Sequence, residues 1–286
     1  LAANALDERA VLAIFEAKGR PRFDPLIVHV QDSEQAWSLA VPSARARRLA
    51  AACWPGPLTL VLPRRAQVPD LVTSGLETVA IRVPDHAVAL ALIRASGPVA
   101  APSANRFGRI SPTTSAHVRE QFPDRALCVL EGGPCRVGIE STVLVADPPQ
   151  ILRPGGCSRV QLEALLGEPI ALSSREQRAQ AISQPSPGLL ASHYAPRAPM
   201  SLRRGAWPRG EGLAYLSFRG EALPVSSHAC EILSPSGDLS EAAMRLFAAL
   251  RRLDAASPRG IIAELVPEEG LGEGINDRLR RAAGLG

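Results

Sequence analysis

A chain of 286 residues, 46% apolar and 21% charged, carries enough apolar surface for one large core or two ordinary ones and is not a disordered chain. Aromatics make up only 4%, so the core must rest on Ala, Leu, Val and Ile; a net charge of +4, with Arg far outnumbering Lys, suits a nucleotide or RNA but is too small and dispersed to identify one. No apolar run approaches the ~18 residues of a membrane span, and the start Leu1-Ala-Ala-Asn4 has no signal-peptide n-region and no initiator Met, so a cytoplasmic chain that has lost its beginning is expected.

In chain order, residues 4–18 read as an amphipathic helix, with Asp7 as N-cap, Val11, Ile14 and Phe15 on its apolar face and Gly19 as its stop. Apolar runs predict strands at 25–30, 58–62, 79–83, 98–101, 126–130, 142–145 and 150–152. Helical spacing falls between them at 33–40, 43–53, 86–95, 113–121 and 158–166, the last capped by Ser158. The close strand pairs around 126–152 predict a twisted mixed sheet with flanking helices over 1–172 rather than a clean doubly wound fold. Residues 173–199, polar and rich in Pro and Ser, read as a linker whose pair His193-Tyr194 docks on something. Strands at 212–218, 230–233 and 260–266, with helices at 239–254 and 273–283, predict a smaller Rossmann-like α/β domain over 200–286.

Several residues carry candidate chemistry, each beside a plainer alternative. Lys18 and Arg20 lie where a helix hands over to a strand, as a polyphosphate site or as a salt-bridged surface at a helix C-terminus. His29 alternates with apolar neighbours, either as a satisfied core histidine or as a small polar ligand group. Arg82, in a strand, needs a carboxylate partner, from the protein or from a ligand. Ser103 and Asn105 follow an apolar strand, where α/β sheets bind ligands and where Ser and Asx turns also occur. Ser141 and Thr142 open a strand, and Arg153-Pro-Gly-Gly156 ends one in an anion nest or an ordinary turn. The five cysteines (53, 128, 135, 157 and 230) have no C-x-x-C spacing, so buried thiols are expected rather than a zinc site or disulfide framework. No phosphate-binding P-loop, nucleophile elbow or H-E-x-x-H is present, and Gly270-Leu-Gly272-Glu-Gly274 reads as a turn before the last helix.

Taken in order, Lys18-Gly-Arg20-Pro21, Pro25-Leu-Ile-Val-His29, Trp54-Pro-Gly-Pro57-Leu-Thr, Ile81-Arg82-Val-Pro84, Pro102-Ser103-Ala-Asn105, Ser141-Thr142-Val and Arg153-Pro-Gly155 resemble the YrdC-type threonylcarbamoyl-AMP synthases. Ser186-Pro-Gly188, His193-Tyr-Ala-Pro196 and the closing Gly270-Leu-Gly-Glu-Gly-Ile-Asn-Asp-Arg-Leu resemble the long, two-domain form of that family. The resemblance implies an enzyme that joins ATP, L-threonine and bicarbonate into threonylcarbamoyl-AMP, with Mg²⁺ on the nucleotide and no dedicated metal cluster. The product would pass to partner proteins that modify the adenosine next to a tRNA anticodon, with neither stable nucleic-acid binding nor membrane attachment. It implies Lys18 and Arg20 on the phosphates, with Asp24, Ser103, Asn105, Ser111, Arg153 and His193 or Tyr194 around ATP. His29, Arg82, the Ala101 backbone and Ser141 would frame threonine, and the linker would close as a lid. The family's P-T-[DE]-T-V-Y-G-L segment would end at Leu1, and Ala191-Ser192 stand where relatives carry an aromatic and a basic residue. Two other readings stay open: a carbamoyl-adenylate-forming carbamoyltransferase, whose extra modules are not seen in this sequence, and a non-catalytic RNA-binding module, whose interleaved basic and aromatic residues are not seen either.

Overall fold

The computed structural model describes residues 1–174, 193–224 and 228–285. The first helix, α1 (Glu8–Lys18), starts four residues later than expected, because Asp7 caps it by accepting from the Arg9 and Ala10 amides while Ala3–Asn4 forms the edge strand β1. Gly19 ends it with φ 61, a left-handed turn that suits glycine. Then come β2 (Ile27–His29), α2 (Ser33–Leu39), α3 (Ala44–Cys53), β3 (Leu58–Pro63), α4 (Asp70–Thr73) and β4 (Thr78–Arg82). After these follow α5 (Ala87–Ser96), β5 (Val99–Ala100), α6 (Ser115–Gln121), β6 (Thr142–Ala146), β7 (Pro149–Arg153), α7 (Arg159–Leu166) and β8 (Ala171–Leu172). The strands form one mixed sheet in the order β1-β5-β2-β4-β3-β6-β7-β8.

The run at 126–130 is a correction: it forms no strand, and Leu130 is exposed. β6, the strand it was expected to accompany, already pairs with β3 on one side and β7 on the other, so no free sheet edge remains there. The expected buried thiols are a second correction, since Cys128, Cys135 and Cys230 are exposed and Cys53 and Cys157 only half-buried.

Period-two alternation separates the two faces of this sheet. Val28, Leu60, Ile81 and Leu144 face the main core beneath α1, α3 and α7, whereas Ile27, Val61, Ala80 and Val143 form a smaller cluster on the opposite face. His29 shares its face with Ile27, Arg82 with Ala80, and Ser141 with Val143. All three therefore point to the second face.

The later strands are β9 (Met200–Leu202), β10 (Leu213–Ser217), β11 (Ala229–Ile232) and β12 (Gly260–Ala263), joined by α8 (Leu239–Ala255) and followed by α9 (Gly272–Ala282). They make a separate, wholly parallel sheet in the order β11-β10-β12-β9, the parallel α/β arrangement expected. The strand predicted to 266 leaves the sheet after Ala263, and the unpredicted β9 occupies the far edge. A second core forms around α8 and α9 and takes in Ile110, Ile139 and Tyr194 from outside this sheet. No helix among the described residues is long and apolar enough to cross a membrane.

Candidate active site

A cavity of about 220 Å³ opens on the second face of the large sheet. Its walls include Arg20, His29, Arg82, Ala101, Ser103, Ser141 and Arg153, together with His193 and Tyr194. Four other predicted residues (Lys18, Asp24, Asn105 and Ser111) stand behind these walls and shape them.

His29 and Arg82 are the last residues of the parallel strands β2 and β4 and lie directly opposite one another in register. Arg82 donates its Nε to the Gly56 carbonyl (2.8 Å), and its terminal nitrogens bond no other protein atom among the described residues. Burial, and then the nearby Arg153, lower its pKa to about 10, so it stays charged at neutral pH. Burial and Arg82 push His29 down to about 3, making it a neutral imidazole, and its buried Nδ1 has no protein partner. One fixed cation thus stands beside one neutral hydrogen-bonding group. Ser141 completes this side, its hydroxyl 2.7 Å from Thr59 Oγ1 and within 3.4 Å of Arg153 Nη2.

On the other side, Lys18 reaches across to donate its Nζ to the Ser103 and Asn105 carbonyls, both at 2.5 Å. It thereby fixes the loop after β5. Lys18 is the single lysine of a chain that otherwise uses only arginine, a composition signal that marks this position more sharply than its neighbours do. Burial first, then Arg20, lower its pKa to about 7, against the opposing pull of Asp24. Arg20 donates to the Asp24 and Pro25 carbonyls (3.0 and 2.8 Å) and pairs with the Asp24 carboxylate at 2.9 Å. Asp24 is therefore wholly buried behind Arg20 and not in the cavity wall. Asn105 is buried as well, donating its amide to the Arg106 and Arg109 carbonyls (2.9 and 2.8 Å). Arg153, the last residue of β7, donates to the Ser141 carbonyl (3.0 Å).

The docking expected of His193-Tyr194 is found: Tyr194, at φ 62, packs against Phe247, and its ring centroid lies 4.1 Å from that of His193. Burial, with the surrounding Arg20 and Lys18, holds His193 neutral. The lid expected from the linker falls mostly on residues 175–192, outside the described residues.

Two residues in or behind this wall escaped the sequence reading. Glu140 lines the cavity and accepts from the Ser111 hydroxyl (3.0 Å) and from Arg278 Nε (2.9 Å). No local pattern marks it beside the neighbouring hydroxyls, and its arginine partner lies in the last helix. Among the described residues, no three His, Cys, Asp or Glu side chains gather in a way that would hold a metal ion.

Two family models match the chain. One, described as "Telomere recombination", covers residues 1–155, and one described as "Threonylcarbamoyl-AMP synthase, C-terminal domain" covers residues 157–284. Among curated proteins, the threonylcarbamoyl-AMP synthase of Pyrococcus abyssi is 43% identical over 300 residues, spanning 99% of this chain and 87% of its own length. That of Bacillus subtilis is 42% identical over 302 residues, spanning 99% and 86%. A crystal structure of P. abyssi Sua5 complexed with L-threonine superposes with a TM-score of 0.90 at 40% identity, over 99% of this chain and 87% of that one. With both halves matched and relatives aligned over nearly its whole length, the chain belongs to the threonylcarbamoyl-AMP synthase family of enzymes, in the form that carries the additional C-terminal domain.

Proposed function

We propose that this enzyme joins L-threonine, bicarbonate and ATP into L-threonylcarbamoyl-AMP, releasing pyrophosphate and water. The observation that carries the reading is the pairing of Arg82 with neutral His29 on one side of a cavity whose other side holds Arg20 and Arg153. The related P. abyssi protein has been crystallised with L-threonine.

Bicarbonate takes up a proton and dehydrates to carbon dioxide and water, and the neutral threonine amine adds to the carbon dioxide as a carbamate, returning one proton. A carbamate oxygen then attacks the α-phosphorus of ATP, and the bond to pyrophosphate breaks. Two anions meet in this step, so the protein's contribution is charge neutralisation and in-line positioning. Arg82 would take the threonine carboxylate with its terminal nitrogens, while His29, the Ala101 backbone and Ser141 orient the rest. A hydrogen bond to the threonine hydroxyl would reject unhydroxylated analogues far better than cavity size alone.

Lys18, Arg20 and Arg153 would hold the phosphates, with Ser103, Asn105, Ser111, His193 and Tyr194 shaping the nucleotide side and Asp24 fixing Arg20. Magnesium would arrive on the ATP phosphates, because Glu140, the one carboxylate in the cavity wall among the described residues, already serves Ser111 and Arg278. The adenylate would then pass to partner proteins that modify tRNA.

The test is pyrophosphate release in ATP, Mg²⁺ and bicarbonate with threonine, serine or valine. Release that depends on threonine, with valine inactive, is the expected result. Release only with carbamoyl phosphate would instead make the chain a carbamoyltransferase, and no release with tight RNA binding would make it a binding module.

A further inference from the structure

The C-terminal domain meets the cavity region through Phe247 on Tyr194, through Arg251 on the Ile110 and Ser111 carbonyls, and most extensively through Arg278. Arg278, on α9, is completely buried, and its Nε donates to Glu140 in the cavity wall at 2.9 Å. Its Nη1 donates to the carbonyl of Pro154, the residue after Arg153, and to Asp277 at 3.2 Å. The guanidinium carbon lies 5.7 Å from the centre of the Tyr194 ring. Asp277 also holds Arg281 through both carboxylate oxygens (2.9 and 3.0 Å), and the Arg281 carbonyl accepts from the His193 amide.

Backbone packing at this junction leaves no slack. A β-carbon on Gly274 would stand 2.8 Å from Ile139 Cδ1 and 3.2 Å from Gly155 Cα, and one on Gly138 would overlap the Ala243–Met244 backbone at 2.2 Å. A buried charge that served stability alone would be a poor choice, because an apolar side chain of similar volume often does as well. Here the charge is spent on contacts to groups that surround the cavity.

We propose that Arg278 is a positioning residue, through which the C-terminal domain sets the nucleotide side of the cavity. The proposal rests on the reading above of which side takes ATP. Its contacts fall on Glu140 and through it Ser111, on the turn that follows Arg153, and on Tyr194. His29 and Arg82, on the threonine side, are not among them. The additional domain is then a structural part of the active site.

Two variants of the full chain test this. Arg278→Lys keeps the charge but replaces the planar fork with a point donor that cannot span Glu140, Pro154 and Asp277 together. Glu140→Gln removes the partner charge from a side chain that is 22% exposed, keeps its shape and a hydrogen-bond acceptor for Arg278, and leaves Asp277 to meet the buried guanidinium. Circular dichroism and melting report folding, calorimetry reports ATP affinity, and steady-state pyrophosphate release gives KM for each substrate.

Both variants should weaken ATP binding and raise the ATP KM about tenfold or more, as displacement of a positioned group does, with the threonine KM nearly unchanged. The double variant should lose less than the sum of the two single losses, because the Glu140–Arg278 contact is shared by both. Folded variants with wild-type ATP affinity would overturn the proposal, as would equal losses for both substrates that follow the folded fraction. Should Arg278→Lys fail to fold, Glu140→Gln decides. A wild-type protein that releases no pyrophosphate with threonine would sink the functional reading, while the ATP-binding comparison would still judge Arg278.

Discussion

Lys18 gives a prediction whose sign and size follow from its surroundings. Lowering its pKa from 10.5 to about 7 by burial and Arg20 corresponds, at ~1.4 kcal/mol per unit, to roughly 5 kcal/mol against keeping the ammonium in the empty site. The neutral amine still has two hydrogens, enough for the Ser103 and Asn105 carbonyls. With ATP seated as proposed, a phosphate charge about 4 Å away would offer about 4 kcal/mol at an effective dielectric of 20 and so restore most of the lost basicity. Above pH 7 the free site would then be deprotonated and the occupied site protonated, and ATP binding would take up a proton. Affinity should then fall by up to about tenfold per pH unit from about pH 7 upward. Calorimetry between pH 7.5 and 9, in two buffers of different ionisation enthalpy, reads the proton directly. Lys18→Arg, charged throughout, should show weaker but pH-independent binding. Proton uptake of zero in the wild type, or the same slope in Lys18→Arg, would refute the reasoning.

The same shift acts on stability: the unfolded chain holds a proton on Lys18 between pH 7 and 10.5 that the folded chain has released, so the wild type should gain stability relative to Lys18→Met as pH rises through that window, measured by urea titration. Arg82→Ala should raise the threonine KM about 10- to 100-fold, the worth of a charged hydrogen bond, while ATP affinity by calorimetry changes little. His29→Ala should also raise the threonine KM, and because its pKa is near 3 the wild-type rate profile between pH 5 and 8 should carry no inflection from that ring. Gly138→Ala, whose β-carbon would overlap the Ala243–Met244 backbone at 2.2 Å, should lower the melting temperature and weaken ATP binding together.

What the sequence made legible was local. Asp7 and Gly19 bound α1 because caps act within a few residues, and Ser158 with Gln161 forms a capping box at α7 for the same reason. Alternation showed that His29 and Arg82 point away from Val28 and Ile81, but only strand order and register bring the two face to face. The run at 126–130 forms no strand despite its apolar pattern, because periodicity reports a strand's own pattern and says nothing about whether a sheet edge is free to accept it. Glu140 and Arg278 are 138 positions apart, and neither carries a local mark of the other. Lys18 did carry a mark, as the lone lysine among arginines.

The basic groups of this site raise a question of their own: how three arginines stay close together, with Lys18 beside them, before any anion arrives. Each is met by backbone carbonyl oxygens: Lys18 by Ser103 and Asn105, Arg20 by Asp24 and Pro25, Arg82 by Gly56, and Arg153 by Ser141. Carbonyl dipoles satisfy the donors and fix their directions without supplying a full negative charge. Of the carboxylates nearby, Asp24 is buried and, among the described residues, paired with Arg20 alone, and Glu140 is shared with Ser111 and Arg278. Full pairing with carboxylates would neutralise the site and leave nothing for a carbamate and a triphosphate to gain. Carbonyl pairing instead keeps the cavity positive and its geometry set in advance, as catalysis by electrostatic preorganisation requires. Arg278, one layer out, is paired the other way: its charge is met by the Glu140 and Asp277 carboxylates as well as by the Pro154 carbonyl. Moving a single acidic side chain into the wall beside Arg82 should therefore impair the enzyme more than removing a hydrogen bond there.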